Sequence, residues 1–241
     1  MEPYIDIHSH ILPGIDDGAE NFEMSMRMLR TAEENGIGSI ILTPHNKPGR
    51  HNASPESIQA LLERLREEAV QNGIGVKLYA GNEIYYRSGV VEMLEERKAC
   101  PMAGSSYVLL EFGPMDDYDY IRQGIYQVQS GGYQPILAHG ERYESLASSL
   151  KRVEGLVRMG CYIQVNAGSI MGDNGFASRR FTRSLLKWEL VHFVATDAHK
   201  DKGRAPYMRR CGEYLAKKFG EEYAGRLLRE NPASVIGDRY L

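Results

Sequence analysis

Seven short apolar runs, each followed by a longer stretch of helical period, recur along the chain and restrict its fold more than any other feature. The runs occupy residues 4–8, 39–43, 76–80, 107–112, 134–138, 162–165 and 191–195. Strands joined by helices lie parallel, because a parallel neighbour can be reached only by a long crossover. Two of the intervening helices carry start and stop signals. One begins at Asn21, a good N-cap, places Met24, Met28 and Leu29 on one face, and stops at Asn35-Gly36. The next begins at Ser54 with Pro55 in its first turn, lines up Ile58, Leu61, Leu62, Leu65 and Ala69, and stops at Asn72-Gly73. Further helices are expected over 117–129, 143–159, 177–187 and 206–218, with a short one from Pro232. No linker, repeat or low-complexity segment divides the chain. The expectation is one α/β domain spanning residues 1–241, either a barrel or an open sheet.

Composition narrows the classes. With 42% hydrophobic and 25% charged residues in 241, a sizeable core can be buried. A net charge of −3 offers no basic footprint for nucleic acid, so an anionic substrate must be attracted locally. The N-terminus lacks a signal-peptide pattern, and no apolar run approaches the roughly 18 residues that span a bilayer. Three widely spaced cysteines, Cys100, Cys161 and Cys211, argue against a disulfide scaffold. These features lead us to expect a cytoplasmic protein without membrane insertion.

The polar residues gather where the runs end. The first ends in His8-Ser9-His10, with Asp16-Asp17-Gly18 close behind; the second leads to Thr43-Pro44-His45; the third leads to Gly81-Asn82-Glu83. The fourth carries Glu111, the fifth leads to His139-Gly140-Glu141-Arg142, and the last leads to Thr196-Asp197-Ala198-His199. Active sites of barrels and open α/β sheets sit at this carboxyl end. Five of the seven histidines lie there beside several carboxylates. His-x-His on a strand directs both imidazoles to one face. Neutral imidazoles and ionised carboxylates converging on one rim suit divalent cations, which also relieve the repulsion among the carboxylates. Each feature alone is commonplace, but their recurrence at successive strand ends is not. His192, inside an apolar run, reads as a satisfied core histidine, and His51 as a loop residue.

Together these residues resemble the PHP (polymerase and histidinol phosphatase) superfamily, and within it the bacterial protein-tyrosine phosphatases encoded with capsule and exopolysaccharide genes. The stretch Asp6-Ile7-His8-Ser9-His10-Ile11-Leu12-Pro13-Gly14-Ile15-Asp16-Asp17-Gly18 is similar to that group's opening motif. Thr43-Pro44-His45, Gly81-Asn82-Glu83, Ala138-His139-x-Glu141-Arg142-Tyr143, Thr196-Asp197-Ala198-His199 and Arg204-x-Pro206 follow in family order. The resemblance covers nearly the whole chain and implies a distorted (β/α)7 TIM-like barrel of the PHP type. It further implies a trinuclear metal site: His8, His10, Glu83 and Asp197 for one ion, Glu83, Glu111 and His139 for a second, and Asp17, His45 and His199 for the third. A one-residue shift would put Asp16 in place of Asp17. Asn46 and Gly140 depart from the family pattern, in which a second histidine and a proline are usual.

The expected chemistry is hydrolysis of phosphotyrosine by a metal-bound hydroxide, without a covalent enzyme intermediate. Arg142 and Arg204 would grip the phosphate, since guanidinium forks match its oxygens. Tyr85 and Tyr86 would present an aromatic wall to the substrate ring, while the loop 46–53, with Lys47, Arg50 and His51, reads as solvated rather than as a guide for an anionic peptide. No cysteine has an arginine six residues downstream (Ser106, Ala167 and Lys217 stand there), so a Cys-x5-Arg thiolate mechanism is absent. There is also no P-loop. A ligand set of nitrogen and hard oxygen points first to Mn²⁺, with iron or zinc as alternatives. From the resemblance, the expected partner is a bacterial tyrosine autokinase in capsule or exopolysaccharide regulation. The rival readings are a phosphatase for a small phosphomonoester such as histidinol phosphate, a nuclease, and a non-catalytic binding module stabilised by metal.

Overall fold

The computed structural model describes residues 2–147 and 149–241 and contains nine strands among them. They are β1 (Tyr4–Ser9), β2 (Ile37–Leu42), β3 (His45–Asn46), β4 (Lys77–Ala80), β5 (Glu83–Tyr85), β6 (Tyr107–Glu111), β7 (Gln134–Leu137), β8 (Tyr162–Asn166) and β9 (Phe193–Ala195). Every pairing is parallel, in the orders β1-β2-β4 and β3-β5-β6-β7-β8-β9. The two short strands β3 and β5 continue β2 and β4 beyond Thr43-Pro44 and Gly81-Asn82. Across those gaps Gly81 N–H donates to Leu42 O (2.9 Å) and Glu83 N–H to Pro44 O (3.2 Å). At the far edge, Ser9 bridges Ala198, His10 N–H donates to Ala198 O (2.8 Å) and Asp197 N–H to His8 O (2.9 Å), so the last strand's end is tied to the first's. The result is a curled parallel sheet of TIM-like type.

The two helices with explicit signals form where expected. Asn21 Oδ1 accepts from Met24 N–H (3.0 Å) at the head of α1 (Phe22–Glu34), which buries Met24, Met28, Leu29 and Ala32. Ser54 Oγ accepts from Ser57 N–H (3.2 Å) at the head of α2 (Pro55–Gln71), which buries Ile58, Leu62, Leu65 and Ala69. Each of the Met, Leu and Ile side chains so buried stabilises the fold by roughly 1.5–3 kcal/mol. The expected helix over 143–159 is instead broken into two, Glu144–Ala147 and Leu150–Arg158, with extended backbone at Ser149. Serine competes for backbone hydrogen bonds, which favours such breaks. Helices Val90–Glu95, Ala167–Met171 and Glu221–Gly225 were not anticipated, because five or six residues are too few to display a period. The last strand starts at Phe193 rather than at residue 191. His192, just before it, is half-buried and its Nδ1 accepts from Ile163 N–H (3.1 Å), in keeping with a satisfied histidine.

Alternation along the strands sorts the core into two parts. Val108, Leu110, Leu137, Ile163, Val165 and Val194 face the helices in the larger cluster. Tyr107, Leu109, Ile136, Phe193, Ala195, Ile41 and Ile7 form a smaller cluster on the concave side, closed by Met102 and Val235. Followed two residues at a time toward the carboxyl ends, the concave positions change character. Tyr107-Leu109 leads to Glu111, Phe193-Ala195 to Asp197, Ile41-Thr43 to His45, and Tyr79-Gly81 to Glu83. Tyr162 likewise leads to Gln164 and Asn166. On β1 a register irregularity between Asp6 and Ser9 shifts the alternation at the segment bearing His8.

Candidate metal centre

The side chains singled out at the strand ends converge around one buried carboxylate. Glu83, 1% exposed, has Oε1 2.8 Å from His139 Nε2 and 3.3 Å from His8 Nε2. Its Oε2 lies 2.6 Å from His45 Nδ1 and 3.5 Å from His10 Nε2. Asp197 Oδ1 is 3.5 Å from His8 Nε2, 3.6 Å from His10 Nε2 and 3.4 Å from His199 Nδ1. Glu111 stands 3.7 Å from His139 Nε2 and 3.8 Å from His45 Nδ1. Asp17 Oδ1 is 3.4 Å from His45 Nε2 and 3.5 Å from His199 Nε2. Three overlapping sets each bring one donor atom per residue within 4.8 Å: His10, Asp17, His45 and His199; His8, His10 and Asp197; His45, Glu83 and Glu111.

Hydrogen bonds at the back of the rings fix their orientation. His8 Nδ1 meets Gln164 Oε1 at 3.0 Å, His10 Nδ1 meets Asp16 Oδ2 at 2.7 Å, and His199 Nδ1 meets Asp197 O at 3.0 Å. Each contact gives Nδ1 an oxygen acceptor and turns Nε2 toward the site, the arrangement used to orient metal-binding imidazoles. Asp16 and Asp17 therefore differ in geometry. Asp16 is drawn back onto His10 and accepts from Gly18 N–H (2.9 Å) and His45 N–H (3.0 Å), whereas Asp17 faces the His45–His199 pair.

The electrostatics describe a site short of cations. Burial pulls His8 down, but Glu83 and Asp197 outweigh it and push it up to about 9. Burial alone would raise Glu83 and Asp197; His8 foremost, then His139, hold both well below the usual carboxylate range. Burial and the neighbouring His10 push His199 down to about 3. His8 and His10 point their Nε2 atoms at one another across 3.3 Å. His45 Nδ1, Glu83 Oε2 and His139 Nδ1 are buried without a hydrogen-bond partner among the described residues, the short His45–Glu83 approach being misaligned for one. Buried acceptors facing one another with too few protons to share fit a cluster of divalent cations, in nitrogen and hard-oxygen ligand chemistry. His139 and Asp197 hold left-handed backbone, at φ 35° and 51°, a conformation that costs on the order of 1–3 kcal/mol outside glycine.

Several contributors escaped the sequence reading. Asn166 Nδ2 donates to Asp197 Oδ2 (2.8 Å), Gln164 Oε1 also accepts from His139 N–H (2.8 Å), and Gln164 Nε2 donates to Asn166 Oδ1 (2.8 Å). Their signal was present: two amides spaced by two in an apolar strand, the spacing of His8 and His10. Asp6, fully buried, accepts from Thr196 N–H (3.0 Å) and Thr196 Oγ1–H, bracing the approach to Asp197. Lys47 belongs to the site rather than to a solvated loop, its Nζ lying 2.9 Å from Glu111 Oε2 and 3.4 Å from His45 Nε2.

Arg142 and Arg204 both reach the rim, each placing Nη2 on Asp197 Oδ2, at 3.0 and 2.9 Å. They remain 34% and 49% exposed, so further N–H donors stay open to an incoming anion. Tyr85 pairs in register with Glu111 and is half-buried at the rim. Tyr86 does not join it: buried, it stacks on Phe112 at 5.0 Å and hydrogen-bonds Gln127 Oε1 (2.5 Å), so the two-tyrosine wall reduces to Tyr85. The two departures from the family pattern are also accommodated. Asn46 accepts from Arg87 Nη2 (3.3 Å), and a Cβ at Gly140 would meet Ile163 Cγ2 at 3.0 Å.

Comparison with known proteins places this geometry in a lineage. The family description "Capsular polysaccharide synthesis, CpsB/CapC" matches residues 4–237. Tyrosine-protein phosphatase CpsB of Streptococcus pneumoniae is 34% identical over 98% of this chain and 100% of its own length. Tyrosine-protein phosphatase YwqE of Bacillus subtilis is 34% identical over 90% and 86%. Among solved structures, that of YwqE from Bacillus subtilis and CpsB from Streptococcus pneumoniae, described as unique metal-dependent tyrosine phosphatases, superposes with a TM-score of 0.93 at 32% identity, covering 98% of this chain and 96% of the other. The phosphotriesterase homology protein of Escherichia coli, at 12% identity and a TM-score of 0.59, shares the fold.

Proposed function

The chain belongs to the CpsB/CapC capsular polysaccharide synthesis family, and from that premise we propose that it is a metal-dependent protein-tyrosine phosphatase. The carrying observation is the convergence of four imidazoles on Glu83, with His199 joined to them through Asp197, at the carboxyl ends of the strands. We read the sheet as a distorted (β/α)7 barrel of the PHP type, with β2–β3 and β4–β5 each counted as one interrupted stave, in a single domain over residues 1–241.

In this reading His8, His10, Glu83 and Asp197 hold one cation, Glu83, Glu111 and His139 a second, and Asp17, His45 and His199 a third; His45 also faces Glu83 and Glu111. Mn²⁺ is the proposed ion, with iron and zinc as competitors for the same ligand set. Bound cations would supply a water of lowered pKa and neutralise phosphoryl oxygens. The chain's own residues do the rest. Arg142 and Arg204 present N–H groups beside Asp197 to the phosphate dianion, and Lys47 adds an ammonium on the Glu111 side. Asp16, Gln164 and the Asp197 carbonyl keep the rings of His10, His8 and His199 from turning. Tyr85 flanks the substrate ring. A phenolate, with a pKa near 10, leaves more readily than an alkoxide, so no strong general acid is required of the rim.

The proposed substrate is a phosphotyrosine protein, a bacterial tyrosine autokinase that regulates capsule or exopolysaccharide assembly in the cytoplasm. No helix among the described residues is long and apolar enough to cross a membrane. The test is kcat/KM for the Mn²⁺-loaded protein on a phosphotyrosine peptide and on histidinol phosphate, before and after chelation. Preference for the peptide, lost on chelation and restored by one metal, is expected; preference for histidinol phosphate or full activity without metal refutes the reading.

A further inference from the structure

We infer that the loop 47–52 forms an anion subsite beside the reaction centre, which selects phosphotyrosines flanked in the substrate chain by a second negative charge. The inference rests on the phosphatase reading and deepens it. A cavity of about 420 Å³ has two adjoining walls, the first formed by Asp16, Asp17 and His45 of the centre and the second by Lys47, Arg50, His51 and Asn52. The carboxylates on the first wall are engaged: Asp16 by His10, Gly18 N–H and His45 N–H, and Asp17 toward His45 and His199. The second wall is the cationic one, and only its innermost member, Lys47, is paired, with Glu111. Arg50 and His51 are exposed and meet no carboxylate within 4.0 Å among the described residues.

The wall is built rather than floppy. Asn52 closes the loop from both sides, its Oδ1 accepting from Lys47 N–H (2.8 Å) and its Nδ2 donating to Lys47 O (2.9 Å). Within that clamp runs Lys47-Pro48-Gly49-Arg50, with proline second, glycine third at φ 71°, and Arg50 N–H directed to Lys47 O (3.4 Å). Proline fixes the second position and glycine alone accepts the third without strain, the signature of a type II turn. The turn therefore sets Arg50 and His51 on the same cavity into which Lys47 and His45 project.

A phosphate dianion at the centre accounts for Arg142, Arg204 and Lys47, but leaves Arg50 and His51 without a task. The Arg50 charge complements an anion carried by the same peptide a few residues away, which an aspartate or glutamate side chain or a second phosphotyrosine would supply. Guanidinium recognises both carboxylate and phosphate through the same fork. The overall charge of −3 makes such local attraction necessary for an acidic chain.

The experiment compares kcat/KM of the metal-loaded protein and its Arg50→Ala and Arg50→Glu variants on free phosphotyrosine and on three phosphotyrosine peptides. These have neutral flanks, acidic flanks, or a second phosphotyrosine. The wild type is expected to prefer both anionic peptides over the neutral one, by a margin that shrinks as salt rises. Arg50→Ala should reduce that preference by about fivefold, the scale of one exposed charge contact, and Arg50→Glu should abolish or invert it. Free phosphotyrosine, which carries no flanking residues, should be turned over equally by all three proteins. A larger loss on the doubly phosphorylated peptide assigns the subsite to phosphate; an equal or larger loss on the acidic one assigns it to carboxylate. Wild type that ignores the flanks, or variants that keep its preference, overturn the subsite while hydrolysis of free phosphotyrosine leaves the phosphatase reading standing. Wild type that hydrolyses none of the four substrates overturns both.

Discussion

The two ends of the curled sheet obey opposite rules. At the amino ends of its strands, polar groups are matched: Tyr107 Oη donates to Arg239 O (2.7 Å), Ser106 N–H and Oγ–H to Asp238 Oδ1 (2.8 and 2.7 Å), Gln134 Nε2 to Ser106 Oγ (2.8 Å), and Asn231 Nδ2 to His192 O (2.8 Å). At the carboxyl ends, buried nitrogens and oxygens of His45, Glu83, His139 and Glu141 lack partners. One end is settled by its own hydrogen bonds. The other keeps unmet donors and acceptors, which is how a ligand site differs from a core. The apolar concave cluster between them isolates the two, so stability and activity should separate on mutation.

The largest separation is expected at Glu83, whose carboxylate faces His8, His10, His45 and His139. Glu83→Gln should lower kcat/KM on phosphotyrosine at least about a thousandfold, several kcal/mol of transition-state stabilisation. Metal-free protein should lose part of its stability with the His8–Glu83 pairing and still unfold cooperatively in urea. A large loss of metal-free stability with activity retained would reverse the contrast between the ends. Leu109→Ala, in the buried concave cluster, should do the opposite, costing roughly 2–5 kcal/mol in urea unfolding while the folded fraction keeps its kcat.

A smaller effect sharpens the division within the carboxyl end. Asp16→Ala removes the orienting partner of His10 but, in the proposed assignment, no ligand, and should weaken metal affinity by about 10–100-fold. Loss of all metal would instead make Asp16 the ligand. The smallest effect belongs to the amino end, where burial pushes His192 down to about 4. Because its folded pKa lies below the unfolded value near 6.5, the unfolded state binds the extra proton first. The associated stability is complete above about pH 6.5 and drains away as pH falls toward 4. His192→Asn keeps an acceptor for Ile163 N–H without the titrating ring. Metal-loaded variant and wild type, compared by urea midpoint at pH 7 and pH 5, should show the shallower acid loss in the variant.

Much of this was written along the chain. Alternating apolar runs and helical stretches dictated parallel strands, because no shorter connection joins them. The caps Asn21 and Ser54 dictated where two helices begin, since those signals are local. The histidines and acids at the strand ends announced a rim of candidate cation ligands, and the fixed direction of a strand carried them to the same side. Tertiary structure decided what depends on neighbours distant in sequence. It placed Asp16 behind His10 and Asp17 in front of His45 and His199, a choice that rests on how the loop after β1 folds back on β3. It brought Gln164 and Asn166 behind His8 and Asp197, turned Tyr86 into the core, and moved Lys47 onto Glu111. Period and propensity act over a few residues, whereas a hydrogen bond between side chains 156 positions apart, as from His8 to Gln164, exists only once the sheet has curled.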